Sequence, residues 1–368
     1  MTPHHPENEA MKREYLLWLE NARGQDIATT DQVASALARY ESHTGWQDFR
    51  SFSPDQAIGF KAGLWKATNA KGKPLAKATV CALLRQIQAF FEWLSHQPTY
   101  RRAVLFSDAA YLRPTDNDAR VASARREKPY PTVEQIHAAI ASMPGDTAIQ
   151  RRDRAVIALI LLTGGRDGAV ASLQIKHLDV GAKTVFFDAR EVKTKGAKTF
   201  KTRFYPVSGE AEDICIAWEK ELREVHLFWP EDPLFPSTAM APDANGVFAS
   251  TGLARTTWAS ANPIRAIFRA AFAGAGLPYF NPHSVRKTLV SLMYSLKLSQ
   301  REQKAWSQNM GHEHVQTTLQ SYGRLREEEQ IEAIAEIGSH AAQGNDATPI
   351  TLAQMEELMA RHAGNRAA

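Results

Sequence analysis

The chain has 368 residues, 44% of them hydrophobic and 23% charged, a balance that excludes a fibrous or wholly disordered protein. At roughly 100–200 residues per domain, this length predicts two or three domains. The +4 net charge hides an asymmetry: residues 324–368 hold 4 basic and 8 acidic side chains (−4), so residues 1–323 carry +8.

Four helical patterns fill the first hundred residues. Met11, Tyr15, Trp18, Leu19 and Ala22 recur at helical spacing, as do Val33, Leu37 and Tyr40. The second helix is expected to start at Thr29 with Gln32 completing a capping box, and the third repeats the device with Ser53, Pro54 and Gln56. The fourth carries one apolar stripe of Val80, Leu83, Leu84, Ile87, Phe90, Phe91 and Leu94. Before it lies NAKGKPLAK (69–77), a basic turn into a helix start. Its Lys71, Lys73 and Lys77 read either as a solvated loop or as a grip on a DNA backbone.

Residues 113–131 contain three prolines and several charges without apolar periodicity, which reads as a linker. A helix is expected from Thr132, with Gln135 as its box partner. DRAVIALILLT (153–163) is apolar on all sides and fits a buried helix or a buried strand equally. Strand signals occur only around 183–207, in KTVFFD and TFKTRFYPV, joined by a Lys/Gly-rich segment. Helices are expected again at 210–225, 262–274, 284–297 and 299–309, the last with a Ser299/Glu302 box, and two more follow Tyr322.

Several function classes are excluded or disfavoured. Cys81 and Cys215 lie far apart without CxxC spacing, against a disulfide scaffold or zinc knuckle. No apolar run reaches the roughly 18 residues of a membrane span, and the first residues lack a signal-peptide core, so a cytoplasmic protein is expected. LILLTGGRDG has neither the ending of a P-loop nor the glycine order of a dinucleotide site. His312 and His314 lack the spacing and partners of a metal site.

The remaining polar residues form an ordered set suited to phosphate. TGGR places Arg166 after the apolar segment, and KTFKTRFYP places Lys198 and Lys201 beside the strands. PHSVRKT puts His283 and Arg286 one helical turn apart, so that both can face one site. MGHEHVQTTLQSYG puts His312 ten residues before Tyr322. Residues 190–203 hold six basic side chains and one acidic. Planar guanidinium groups suit the extra negative charge of a pentacoordinate phosphate, and a tyrosine of pKa about 10 needs such positive surroundings to act as a nucleophile. Each residue alone has a structural explanation; the ordered set is what carries the signal.

In this set the chain resembles the tyrosine recombinases, the phage integrase family of site-specific DNA recombinases. The resemblance covers about residues 130–325 with specific motifs, and residues 10–112 only as a helical domain. It implies a mainly α fold with a small antiparallel sheet in the catalytic domain, forming a two-domain clamp on DNA. A helical, SAM-like core-binding domain is expected at 1–112, a linker at 113–131, the catalytic domain at 132–337, and a tail with a short amphipathic helix at 338–368.

The same resemblance implies roles. Arg166 and Arg286 clamp the phosphate, His283 assists proton transfer, His312 donates to a non-bridging oxygen, and Tyr322 is the nucleophile. Counting back eight residues from Pro206 makes Lys198 the hairpin lysine that protonates the leaving 5′ oxygen, with Lys195 as the alternative. Lys193, Lys195, Lys201, Arg203 and Lys287 join Lys71, Lys73 and Lys77 as expected DNA contacts. Two features depart from the family pattern: Ala169 stands where an acidic residue is common, leaving Asp167 to orient Arg166, and the His312–Tyr322 interval is one residue longer than in many members.

By resemblance the reaction passes through a 3′-phosphotyrosyl link and a Holliday junction, with neither metal, nucleotide nor other cofactor. The expected partners are duplex DNA with specific sites, three further copies of the chain, and accessory DNA-bending or directionality factors, but no membrane. The expected task is integration or excision of a mobile element. A type IB topoisomerase-like enzyme and a catalytically silent DNA-binding protein are the alternatives.

Overall fold

The computed structural model describes residues 4–124, 128–242, 246–322 and 330–335 and, for residues 320–322, the backbone alone. The fold is mainly α with small antiparallel sheets, and the chain divides between residues 127 and 128 into two compact units. No described helix is long and apolar enough to cross a membrane. The tail helix expected within 338–368 lies outside the described residues.

The first unit holds α1 (Pro6–Asn21), α2 (Ile27–Thr44), α3 (Pro54–Lys66), α4 (Lys77–Leu94), α5 (Phe106–Ala109) and α6 (Asp116–Ser123). The apolar stripe of α4 is its core: Val80, Leu84, Ile87, Phe90, Phe91 and Leu94 are all buried. Phe91 stacks on Phe52 with ring centroids 3.8 Å apart, and Tyr40 and Phe49 meet it edge-on. Both geometries suit the ring quadrupoles.

Three sequence expectations are corrected here. Helix α2 starts two residues earlier than Thr29, because the Asp26 carboxylate accepts the Thr29 N–H and is itself the N-cap. The segment read as a linker is structured up to residue 123: Thr115 caps α6, which packs on α4. Its few apolar residues hid it, since α6 buries none of its own side chains fully. The Ser53 cap of α3 forms as expected, but the Gln56 amide turns to Gln47 and Ser51 instead of closing the box.

The second unit opens with α7 (Val133–Ala141), whose Thr132/Gln135 capping box is complete. The ambiguous apolar run belongs to a helix, α8 (Ala148–Thr163), with every residue from Ala155 to Thr163 buried. It is apolar all round because other helices and two strands of this unit pack against it. Then come α9 (Asp167–Val170), β1 (Leu178–Asp179), β2 (Thr184–Phe187), β3 (Phe200–Arg203), α10 (Ala211–Glu224), β4 (Thr238–Pro242), β5 (Phe248–Leu253), α11 (Asn262–Gly274), α12 (Val285–Ser295), α13 (Gln300–Asn309) and α14 (Val315–Tyr322). Strands β1, β2 and β3 form one antiparallel sheet in that order, with Val185 opposite Thr202 and Phe187 opposite Phe200.

A second sheet was not expected. Strands β4 and β5 pair in a two-stranded ribbon with a bulge at Ala239/Met240. No residue of either strand is fully buried, so the ribbon lacks the alternation by which a strand is read from sequence.

The main core of this unit is built around α8, and a smaller one of Tyr205, Leu289, Val290, Met293, Trp306 and Met310 joins α12 and α13 to the end of the first sheet. Phe91→Ala is expected to destabilise the full chain by about 3–5 kcal/mol in urea unfolding followed by circular dichroism, since it empties the centre of the first unit's aromatic core. A loss below about 1 kcal/mol would contradict that placement.

Candidate functional site

Helix α8 ends at Thr163 because Gly164 takes a left-handed conformation (φ 62°) as its C-cap. The chain then turns sharply, and Arg166 stands as the N-cap residue of α9. Arg286, in the first turn of α12, is 2% exposed. Its Nη1 donates to Gly164 O at 2.5 Å, and its Nη2 to Met310 O at 2.8 Å and to His312 Nε2 at 2.7 Å. One guanidinium thus joins the end of α8, the start of α12 and the turn after α13. Arg166, Arg286, Lys195, Thr163, Gly164 and Phe200 line a common recess.

Gly311 is required beside this site. Its φ is 73°, and a Cβ there would come within 2.8 Å of the Phe200 ring. This close approach sets His312 against the sheet. The histidine is buried, with Nδ1 2.7 Å from Thr318 Oγ1. Burial, then the charges of Arg286 and Arg166, push its pKa down to about 4. His283 sits on the 3₁₀ turn Pro282–Ser284, which Asn281 caps. Its surface is exposed to solvent, yet desolvation of the ring, followed by Arg286 and Arg166, pushes its pKa to about 4 as well. Lys195 acts in the same direction and Asp167 opposes it. Both histidines are therefore neutral near pH 7.

The segment between β2 and β3 is anchored at its base. Val192 is buried, Lys193 N–H donates to Ser172 Oγ at 2.9 Å, and Ala189 N–H donates to Thr199 Oγ1 at 3.0 Å. Arg190 is held by Asp188 at 2.5 Å, which lowers the Asp188 pKa to about 2, so Arg190 is a structural member of the basic run. Lys198 Nζ lies 2.7 Å from Glu313, next to His312 in sequence, while Lys195 lines the recess. The structure brings both lysines to the site.

The other expected contacts divide. Lys193, Lys201 and Arg203 are exposed, and Arg203 pairs through its backbone with the Asn309 side chain, tying β3 to α13. Lys287 lies over the Tyr130 ring at 5.7 Å. In the first unit, Asn69 Oδ1 accepts the N–H groups of Lys71 and Lys73, leaving both side chains exposed on a tight turn. Lys77 sits 3.7 Å from Asp118 and over Trp65, so the first unit already engages it. Tyr322 is the last residue of α14; its side chain lies outside the described residues.

The expectation for Asp167 is corrected. Its Oδ2 accepts from Arg265 at 2.8 Å and its Oδ1 from Gly168 N–H, so it is engaged by α11. Sequence reasoning also missed Glu313, Thr318 and Ser307. Their polar side chains carry no motif of their own, and only their proximity to Lys198 and His312 marks them.

Residues 131–329 match the model of the phage integrase family. The tyrosine recombinase XerC of Ralstonia pickettii (strain 12J) is 26% identical over 252 residues, which is 67% of this chain and 69% of that protein. The XerC 1 protein of Ralstonia nicotianae is 25% identical over the same shares. Among solved structures, XerH recombinase bound to a palindromic difH substrate superposes with a TM-score of 0.56 at 15% identity, covering 85% of this chain and 81% of that one. A lambda integrase dimer bound to a core site gives 0.54 at 13% identity, covering 85% and 94%. These structures share the fold.

The histidines make stability depend on pH with a defined sign. The folded-state pKa of His312 is about 4, below the ordinary value of 6.5, so protonation favours unfolding. Its neutral-state contribution is complete above 6.5 and is lost as pH falls towards 4. Urea midpoints at about pH 7.5 and about pH 5 are expected to differ less in His312→Gln than in the wild type. An equal difference would refute the assignment.

Proposed function

Since the chain belongs to the phage integrase family of tyrosine recombinases, we propose that it cuts and rejoins DNA at specific sites, with Tyr322 as the nucleophile. The observation that carries this reading is the Arg286 guanidinium, which gathers Gly164, Met310 and His312 around a recess that Arg166 and Lys195 also line. Preorganised cationic donors of this kind stabilise the charge that develops on a phosphate in its transition state. Arg166 and Arg286 hold the non-bridging oxygens. His283, neutral near pH 7, assists proton transfer as the Tyr322 oxygen attacks. His312 supports a non-bridging oxygen, and Lys198 releases Glu313 to protonate the departing 5′ oxygen.

The product is a 3′-phosphotyrosyl link and a free 5′ hydroxyl, which attacks the link on a second duplex. The covalent link conserves the phosphodiester energy, so the scheme requires neither nucleotide nor metal. The partners are double-stranded DNA and further copies of the chain, four protomers exchanging strands between two sites through a Holliday junction. Lys193, Lys201, Arg203 and Lys287, with Lys71 and Lys73 of the first unit, supply backbone contacts. DNA in the XerH and lambda integrase structures supports DNA as the partner. Movement of a mobile element is the proposed task, performed on DNA in the cytoplasm.

Two measurements test the scheme. Nicked duplexes tiled from DNA flanking the gene are expected to form a denaturant-resistant adduct in the presence of chelator, lost in Tyr322→Phe. An adduct that survives the substitution would remove Tyr322 as the nucleophile, and binding without any adduct would indicate a silent DNA-binding protein. Lys198→Ala is expected to slow cleavage roughly 10²–10⁴-fold. That loss should vanish on DNA carrying sulfur in place of the leaving 5′ oxygen, because a thiolate departs without a proton. If Lys195→Ala shows that recovery instead, Lys195 is the acid.

A further inference from the structure

Two hydroxyl groups lie behind His312, outside the family's set of functional residues. His312 Nδ1 is 2.7 Å from Thr318 Oγ1 on α14, and Thr318 Oγ1 is 2.6 Å from Ser307 Oγ on α13. Both residues are at 0% exposure. The imidazole therefore meets a cation at one nitrogen and an enclosed hydroxyl at the other.

The direction of the hydrogen bonds follows from elementary chemistry. A guanidinium donates and never accepts, so Arg286 Nη2, at 2.7 Å, makes His312 Nε2 an acceptor. A neutral imidazole carries one N–H, which must then sit on Nδ1 and donate to Thr318 Oγ1. The opposite tautomer would turn an N–H against the guanidinium. Removing the Thr318 hydroxyl would leave a buried N–H without this acceptor, a costly arrangement.

We propose that Thr318, backed by Ser307, is a positioning residue for strand cleavage: its hydroxyl accepts the Nδ1–H of His312 and so holds the ring with Nε2 towards Arg286 and the phosphate site. The consequence for cleavage rests on the recombinase reading above. As phosphate charge enters the recess, Nε2 takes a proton from solvent, gives up the hydrogen bond from Arg286 Nη2 and donates its new N–H to a non-bridging oxygen, while Thr318 keeps hold of Nδ1–H. The new N–H bond is the only covalent change at His312, and its proton returns to solvent when the phosphate leaves. Thr318 stands four residues before Tyr322 on the same helix, so this bond also pins the helix that bears the nucleophile.

The test compares Thr318→Val, which removes the hydroxyl at nearly constant volume, with Thr318→Ser, which keeps it. In protein labelled with nitrogen-15 at its 12 histidines, His312 is assigned by the signals lost in His312→Gln. Wild type and Thr318→Ser are expected to show an unprotonated Nε2 and a protonated Nδ1 whose proton is held against exchange with water; in Thr318→Val that proton is expected to exchange faster. Single-turnover cleavage by Thr318→Val should fall roughly 10- to 100-fold, by analogy with outer groups that orient ligating histidines. DNA affinity should stay within about twofold, the mark of a loss confined to the chemical step. Thr318→Ser should recover the rate. Unchanged exchange of the Nδ1 proton in Thr318→Val, or a Thr318→Ser enzyme as slow as Thr318→Val, would overturn the proposal. If wild type forms no adduct, the recombinase reading fails, and the nitrogen spectra still decide whether Thr318 holds the Nδ1 proton.

Discussion

A guanidinium withdrawn from water must have its N–H groups bonded, or its burial costs several kcal/mol. Arg286 meets this demand with Gly164 O, Met310 O and His312 Nε2, and so makes three distant stretches of chain arrive at one point. The left-handed cap that ends α8, the close approach of Gly311 to Phe200 and the Tyr205–Trp306 contact under α13 all support that convergence. Stability and function here share one arrangement: the bonds that make a buried cation tolerable also fix it beside the recess where an anion is proposed to bind.

The charge around the recess is more ordered than a count of basic residues implies. Asp188 holds Arg190 and Asp167 holds Arg265, so these pairs contribute little net field. Lys198 rests on Glu313, whose carboxylate it keeps below its usual pKa. Burial, then the charges of Arg286 and Arg166, keep His283 and His312 neutral. In the proposed reaction an entering phosphate would reverse that balance, favouring protonated histidines and competing with Glu313 for the lysine. The site is thus charged in its permanent cations and responsive in its titrating groups.

Local rules explain why much of the fold was legible. The Thr132 and Ser299 boxes, the Ser53–Pro54 helix start and the α4 stripe depend on neighbours within a few residues, and each forms. Where two local rules competed, the reading slipped: Asp26 outcompeted Thr29 as the cap of α2. Elements with little burial of their own left almost no pattern, as with α6 and the β4–β5 ribbon. The run at 153–163 could be identified as a helix only from its surroundings, since an element covered on every side loses its periodicity.

For the site, the sequence alone determined the kinds of residue and their order: an arginine after Thr-Gly-Gly, lysines between two strands, an HxxR pair, a Gly-His pair and a following tyrosine. Those features pointed to phosphate chemistry because residue type sets charge, donor geometry and nucleophilicity. Tertiary structure decided which of them share a recess, that Lys198 pairs with Glu313 while Lys195 lines the recess, and that Asp167 serves Arg265. It alone revealed Thr318 and Ser307. Hydrogen bonds act over about 3 Å, and no rule of sequence spacing brings residues 164, 286, 310 and 318 within that distance; only the packed core does.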